Sequence, residues 1–165
     1  MVMDFEDSRR VRRKYDAQQA YLKARGYCAY QERSQQEVRD KLYAWGVSTA
    51  DLEEILVKLI DENFLNEARF ALAYAGGKFR IKQWGKVKIK QGLKAKAVSE
   101  FCIKKALASI DAADYRATLN KILQNKGKDF SRVDSQKAKY KIAQYAIGRG
   151  FESNLVWEVL NELME

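Results

Sequence analysis

Residues 35–59 read QQEVRDKLYAWGVSTADLEEILVKL, and the same pattern returns at 86–110 (KVKIKQGLKAKAVSEFCIKKALASI) and at 139–163 (KYKIAQYAIGRGFESNLVWEVLNEL). Each copy turns on a small residue followed by an apolar one: Gly46-Val47, Ala97-Val98 and Gly150-Phe151, spaced by 51 and 53 residues. Around these anchors the apolar positions coincide. Eight residues before them stand Val38, Ile89 and Ile142, and four before stand Leu42, Leu93 and Ala146. Six after come Leu52, Ile103 and Val156; nine after, Ile55, Ala106 and Val159; ten after, Leu56, Leu107 and Leu160; thirteen after, Leu59, Ile110 and Leu163. Offsets of three, four and seven belong to one face of a helix, so the same buried face is written three times.

The expected fold is therefore all-α, built of three tandem three-helix repeats. Each unit reads as helix, helix, short turn, helix. The boundaries expected are a basic leader at 1–14 and repeats at 15–63, 64–110 and 111–165. Units of about fifty residues bury little core alone, so stacking three of them predicts an elongated, curved body. Ser34-Gln35-Gln36-Glu37 fits a capping box for the second helix, and Ser48 to Asp51 a cap for the third. Asn66 or a neighbour would cap the first helix of the second repeat, and Asp111 to Asp114 place carboxylates at the start of the third repeat. At Ala97 an alanine stands where the other copies have glycine. The turn there either avoids left-handed angles or adopts them at a cost. Gly76-Gly77 inside the repeat's first helix fits a kink, a close helix crossing or a helix end.

Composition agrees with helices. The chain of 165 residues has no proline, 47% hydrophobic and 12% aromatic residues, enough for a core and too much for global disorder. The formal net charge of +9 favours an anionic partner: nucleic acid, an acidic membrane surface or an acidic protein patch. Cys28 and Cys102 lie far apart, with no Cys-x-x-Cys, and read as buried free thiols. The N-terminal stretch has no apolar signal core, and no segment is long and apolar enough to cross a membrane. A soluble cytoplasmic protein, acting as a monomer without membrane contact, is expected.

Catalysis is poorly supported. There is no histidine, no phosphate loop and no nucleophile elbow. Asp51, Glu53 and Glu54 are spaced like a cap and a solvated helix face. No catalytic residue, metal site or cofactor is assigned. Charge distribution is more informative. Residues 33–67 carry four cations against eight anions, whereas residues 76–105 carry ten cations against Glu100 alone. The candidate partner or nucleic-acid surface is thus Lys78, Arg80, Lys82, Trp84, Lys86, Lys88, Lys90, Lys94 and Lys96. Lys82, Lys86, Lys90 and Lys94 recur every four residues and would line one side of a continuous helix, unless Gly85 interrupts it. Trp84 either packs against the neighbouring repeat or stands as an aromatic anchor in a basic surface. Arg9, Arg10, Arg12, Arg13 and Lys14 form a second basic arm, read as a solvated leader or an anion-binding segment. The C-terminal helix holds Glu152, Glu158, Glu162 and Glu165 without a cation, as a counter-charged packing or contact element would.

Four segments in order carry a family resemblance: Glu32 to Val38 continuing through Lys41-Leu42 to Trp45-Gly46-Val47; Phe64 to Ala71 (FLNEARFA); Lys78 to Gly85 (KFRIKQWG) leading to Ile89 and Leu93; and Arg149-Gly150-Phe151. Together they resemble the RecX family, negative regulators of the RecA recombinase, over residues 17–165. Asn66 replaces the usual first acid of the second segment, Ala97 the usual glycine, and the basic leader has no counterpart in the pattern. The resemblance implies three tandem three-helix repeats, binding along the groove of the RecA–DNA filament, and suppression of ATP hydrolysis and strand exchange without a cofactor. General nucleic-acid binding is the alternative that the basic patch allows.

Overall fold

The structure, a computed structural model, describes residues 15–165, and among them nine α-helices and no strand. They are α1 (Ala17–Tyr30), α2 (Gln35–Ala44), α3 (Thr49–Asp61), α4 (Glu67–Lys82), α5 (Lys86–Ala95), α6 (Glu100–Ala108), α7 (Ala112–Gly127), α8 (Ser135–Gly148) and α9 (Ser153–Leu163), with a 3-10 turn at Lys128–Phe130. They group by threes into three repeats. The recurring apolar positions are the core: all eighteen before and after the anchors are buried except Leu107 and Leu163, which are half-buried. Leu42, Leu59, Ile89 and Leu93 are fully inaccessible. Each such side chain contributes about 1.5–3 kcal/mol relative to exposure, which is why the spacing repeats when little else does.

The three anchors build one turn three times. Gly46, Ala97 and Gly150 have φ of 75°, 58° and 99°, all left-handed. The next residue's amide reaches back five positions, from Val47 to Leu42 (3.1 Å), Val98 to Leu93 (3.1 Å) and Phe151 to Ala146 (3.3 Å). The anchor's own amide reaches back three, to Tyr43, Lys94 and Ile147, at 2.9 Å in each case. This paired pattern closes a helix on a left-handed residue and tucks the following apolar side chain inward. Val47, Val98 and Phe151 are accordingly buried. Ala97 adopts the left-handed angles rather than avoiding them. The capping box at Ser34 and Glu37 forms, Ser48 and Asp111 cap α3 and α7, and Asn66 accepts from the Arg69 amide at 2.9 Å.

Two compact units emerge, one ending at Phe70 and the other beginning at Ala71. In the first, α1, α2 and α3 pack around Ala20, Ala24, Val38, Leu42, Leu56, Leu59 and Leu65, with Tyr15 edge-on to Trp45 at 5.7 Å. The second unit joins the last two repeats through their turns. The Gly85 amide donates to the Arg149 carbonyl and the Val87 amide to the Gly150 carbonyl, both at 2.9 Å. A Cβ on Gly85 would collide with the Gly150 and Phe151 backbone, so glycine is required for the approach. Tyr115 completes the joint. Its hydroxyl accepts from the Lys86 amide (3.0 Å) and donates to Glu152 (2.6 Å), while its ring lies between Phe79 and Phe151, at 5.8 and 5.1 Å. Burial and the carboxylate beside it push its phenol pKa upward, so it stays a donor.

The single helix entertained for Lys82 to Lys94 does not form. α4 ends with Gln83 at φ 55°, and Gly85 opens α5 as an extended cap, so Lys82 sits on α4 and Lys86, Lys90 and Lys94 on α5. At Gly76-Gly77 α4 continues unbroken, with the Arg80 guanidinium folded over Gly76 where a side chain would otherwise project.

Candidate functional site

The basic surface is assembled from the last two turns of α4, the 83–85 turn and α5. α5 is amphipathic: Ile89 and Leu93 point into the core, which leaves Lys86, Lys88 and Lys90 half-exposed and Lys94 exposed. Arg80 and Lys82 are exposed on α4, and Lys78 is half-buried. Trp84 lies in the turn, half-buried, with the Lys78 and Lys88 ammonium groups 4.8 and 4.5 Å from its ring centroid. Its ring is set among cations, and its neighbour Gly85 contacts the third repeat. The Lys86 ammonium lies 5.0 Å from the Tyr115 ring.

Most of the cations on this surface are not neutralised. Among the described residues Lys94 pairs with Glu100 at 3.4 Å, but Lys78, Arg80, Lys82, Lys86, Lys88 and Lys90 have no carboxylate partner. Lys96 is half-buried and has a contact of its own. Elsewhere several charges are matched internally, although Lys128, Arg132, Lys137, Lys139 and Lys141 of the third repeat also have no carboxylate partner among the described residues. Arg39 grips Glu53 (2.5 Å), and this hydrogen bond holds the Glu53 carboxyl below the ordinary carboxylate range. Arg69 holds Glu32, and Arg116 on α7 reaches Glu158 and Glu162 on α9 at 3.4 and 2.8 Å, which makes the acidic last helix a packing element. The arm Arg9, Arg10, Arg12, Arg13 and Lys14 lies outside the described residues.

Two side chains absent from the sequence-based set stand out. Ile81 is 79% exposed between Arg80 and Lys82, and Phe101 is 72% exposed on α6, with the Lys105 ammonium 5.6 Å from its ring. A signal for Phe101 existed. It stands four residues after its anchor, where the other repeats carry Ala50 and Asn154, so the apolar side chain there is no part of the shared core. Among the described residues no group of three or more Cys, Asp or Glu side chains is placed to hold a metal ion, and no helix is long and apolar enough to cross a membrane. The Cys28 thiol is buried, which pushes its pKa up to about 11 and makes it a poor nucleophile at neutral pH.

Comparison with known proteins matches the repeats one by one. Family models for the first, second and third three-helix domains of RecX match residues 20–59, 66–107 and 113–160. The chain is similar to the regulatory protein RecX of Prosthecochloris aestuarii, with 31% identity over 90% of this chain and 96% of that one. It also resembles RecX of Bacillus mycoides, with 25% identity over 91% of this chain; it spans 56% of the length of that longer protein. The crystal structure of RecX from Lactobacillus salivarius superimposes with a TM-score of 0.82 at 24% identity, over 89% of this chain and 96% of that one. That likeness is one of fold.

Proposed function

Because this chain belongs to the RecX family, we propose that it is a negative regulator of the RecA recombinase, binding the groove of the RecA–DNA filament and lowering its ATPase and strand-exchange activity. The observation that carries the reading is the uncompensated cationic surface on repeat 2, mounted on rigid helices within a chain of helical repeats. Lys78, Arg80, Lys82, Trp84, Lys86, Lys88, Lys90, Lys94 and Lys96 would meet the filament, and contacts from the other repeats would add to theirs as avidity. The action is one of binding, by a cytoplasmic monomer without catalysis or cofactor. Relatives bearing the name of regulatory protein support it.

Titrating the purified chain into RecA on single-stranded DNA should lower the DNA-dependent ATPase at or below one chain per protomer. A full titration without effect, with no binding to the filament, would discard the reading. Direct nucleic-acid binding is a second reading, favoured by Trp84 lying against two ammonium groups. Naked single-stranded DNA separates the two. Tight binding with a steep salt slope that recombinase does not improve supports the second; firm binding to the filament alone supports the first.

A further inference from the structure

A polar pocket of about 260 Å3 opens where the 83–85 turn meets α7 and α8, lined by Gln83, Asn125, Lys126, Asp129, Tyr145 and Arg149. The Tyr145 ring gathers its two cations: the Lys126 ammonium lies 4.4 Å from the ring centroid and the Arg149 guanidinium 6.0 Å. Against them stands one carboxylate, Asp129 on the 3-10 turn, exposed and 3.3 Å from Lys126. Arg149 has no carboxylate partner among the described residues. Its Nη2 donates to the Lys82 carbonyl, which fixes the guanidinium, while its Nε–H is shut off from solvent with no acceptor. A buried donor on a charged group is seldom left unmet, because its lost hydration is then uncompensated. The Gln83 and Asn125 carboxamides also have no hydrogen-bond partner among the described residues. Gln83 reaches its place in the turn at a left-handed φ of 55°, where glycine would cost less.

Four donor side chains from three elements thus converge on one space that holds a single carboxylate. A carboxylate ligand would offer them two oxygens in one plane. A phosphate monoester offers three strong acceptors spread about a tetrahedron, and nearly two charges for the two cations. An adjoining cleft that shares Gln83 and is lined by Arg80, Thr118 and Lys121 has room for the group that carries it. We propose that this pocket binds a phosphate monoester, the terminal phosphate of a free nucleotide or of a nucleic-acid strand. Lys126 and Arg149 supply the charge, and Gln83 and Asn125 the further donors. Asp129 satisfies Lys126 in the free chain, so an entering phosphate displaces it, and the carboxylate acts as a brake on binding. The proposal goes beyond the recombinase reading and does not rest on it.

The test follows the Arg149 Nε–H signal of the isotope-labelled full chain by NMR at fixed ionic strength, identified by its disappearance in Arg149→Lys. The probes are inorganic phosphate, thymidine monophosphate, and oligothymidylate with and without a terminal phosphate. The expected result is a saturable shift with thymidine monophosphate, the phosphorylated strand or both, and none with the unphosphorylated strand. A response to the mononucleotide makes a free nucleotide the source; a response to the phosphorylated strand alone makes it a strand end. Lys126→Met should weaken the complex about tenfold, and Asp129→Asn should tighten it about threefold or more. Asp129 is exposed, so Asp129→Asn should melt with the wild type, and a gain in affinity is not what a damaged fold gives. No shift with any probe would overturn the proposal. So would equal shifts with the two oligothymidylates, a shift with inorganic phosphate alone (an adventitious ion only), or weaker binding in Asp129→Asn. No arm contains RecA, so the recombinase reading stands or falls separately.

Discussion

Replacing Ala97 with glycine should make the protein more stable, and the size of the gain follows from the turn. Ala97 sits at φ 58° with both backward hydrogen bonds formed, so its left-handed angles are enforced by the helix end and by burial of Val98. An L-residue with a Cβ pays about 1–2 kcal/mol in that region. Glycine removes this strain but gains unfolded-chain freedom of about 0.4–1 kcal/mol. The Ala97 methyl is exposed, so no burial is lost with it. The net stabilisation should be about 1 kcal/mol. That corresponds to a Tm rise of about 2–4 °C if the whole chain melts together, and about 4–8 °C if the second unit melts by itself. Urea unfolding followed by far-ultraviolet circular dichroism, with calorimetry beside it, measures both. Gly46→Ala at φ 75° is the mirror experiment and should lose a similar amount. An unchanged or lower urea midpoint in Ala97→Gly, with Gly46→Ala harmless, would show that the anchors are not held by a common left-handed turn.

Three further outcomes follow from the packing and charge. Tyr115→Phe should cost about 1–3 kcal/mol in urea unfolding, since it strips the half-buried Lys86 amide of its acceptor and Glu152 of its donor at the joint between the last two repeats. The Glu53 carboxyl should titrate below the ordinary glutamate range by NMR, and Arg39→Gln should return it there; because its folded pKa is the lower one, the pair's contribution is complete above the unfolded pKa and fades as pH falls through the folded value. Lys104→Glu should raise the urea midpoint slightly and weaken filament binding, whereas a variant that gains affinity would contradict the surface assignment.

The fold was legible because burial repeats. Val38, Ile89 and Ile142 differ in sequence context, yet each is set eight residues before a turn that works only if the next residue is apolar and inward. Caps were legible for a similar reason: Ser34 and Glu37, or Asp111, act on backbone groups a few residues away, so their chemistry is local. What local pattern could not convey was the joint between the last two repeats. Gly85 and Gly150 lie 65 residues apart, and nothing near either one announces that their backbones touch. The same holds for Tyr115, a core residue by composition whose hydroxyl serves two distant helix starts. The four-residue rhythm from Lys82 to Lys94 allowed one helix unless Gly85 broke it, and the left-handed Gln83 and that glycine contact do divide it. Charge pairing was partly legible. The acidic α9 read as a counter-charged element, and Arg116 supplies the counter-charge.

Repetition also shows how the middle repeat comes to carry cations where the first carries an ion pair. Seven residues before and seven after the anchor are equivalent places on the second and third helices of each unit. In the first repeat they hold Arg39 and Glu53, which join at 2.5 Å and cancel. In the third they hold Ala143, which is buried, and Trp157, so no charge needs cancelling. In the second they hold Lys90 and Lys104, two cations where the first repeat has an ion pair. A shared backbone thus carries a neutralised, an uncharged and an unneutralised version of one surface. Like charges at such positions lower stability slightly, and folding gives no reason to keep them. A carboxylate brought by a partner would relieve them, and Lys104→Glu supplies that carboxylate from within. The trade it predicts, a firmer fold for a weaker complex, separates cations held for binding from cations that merely keep the chain in solution.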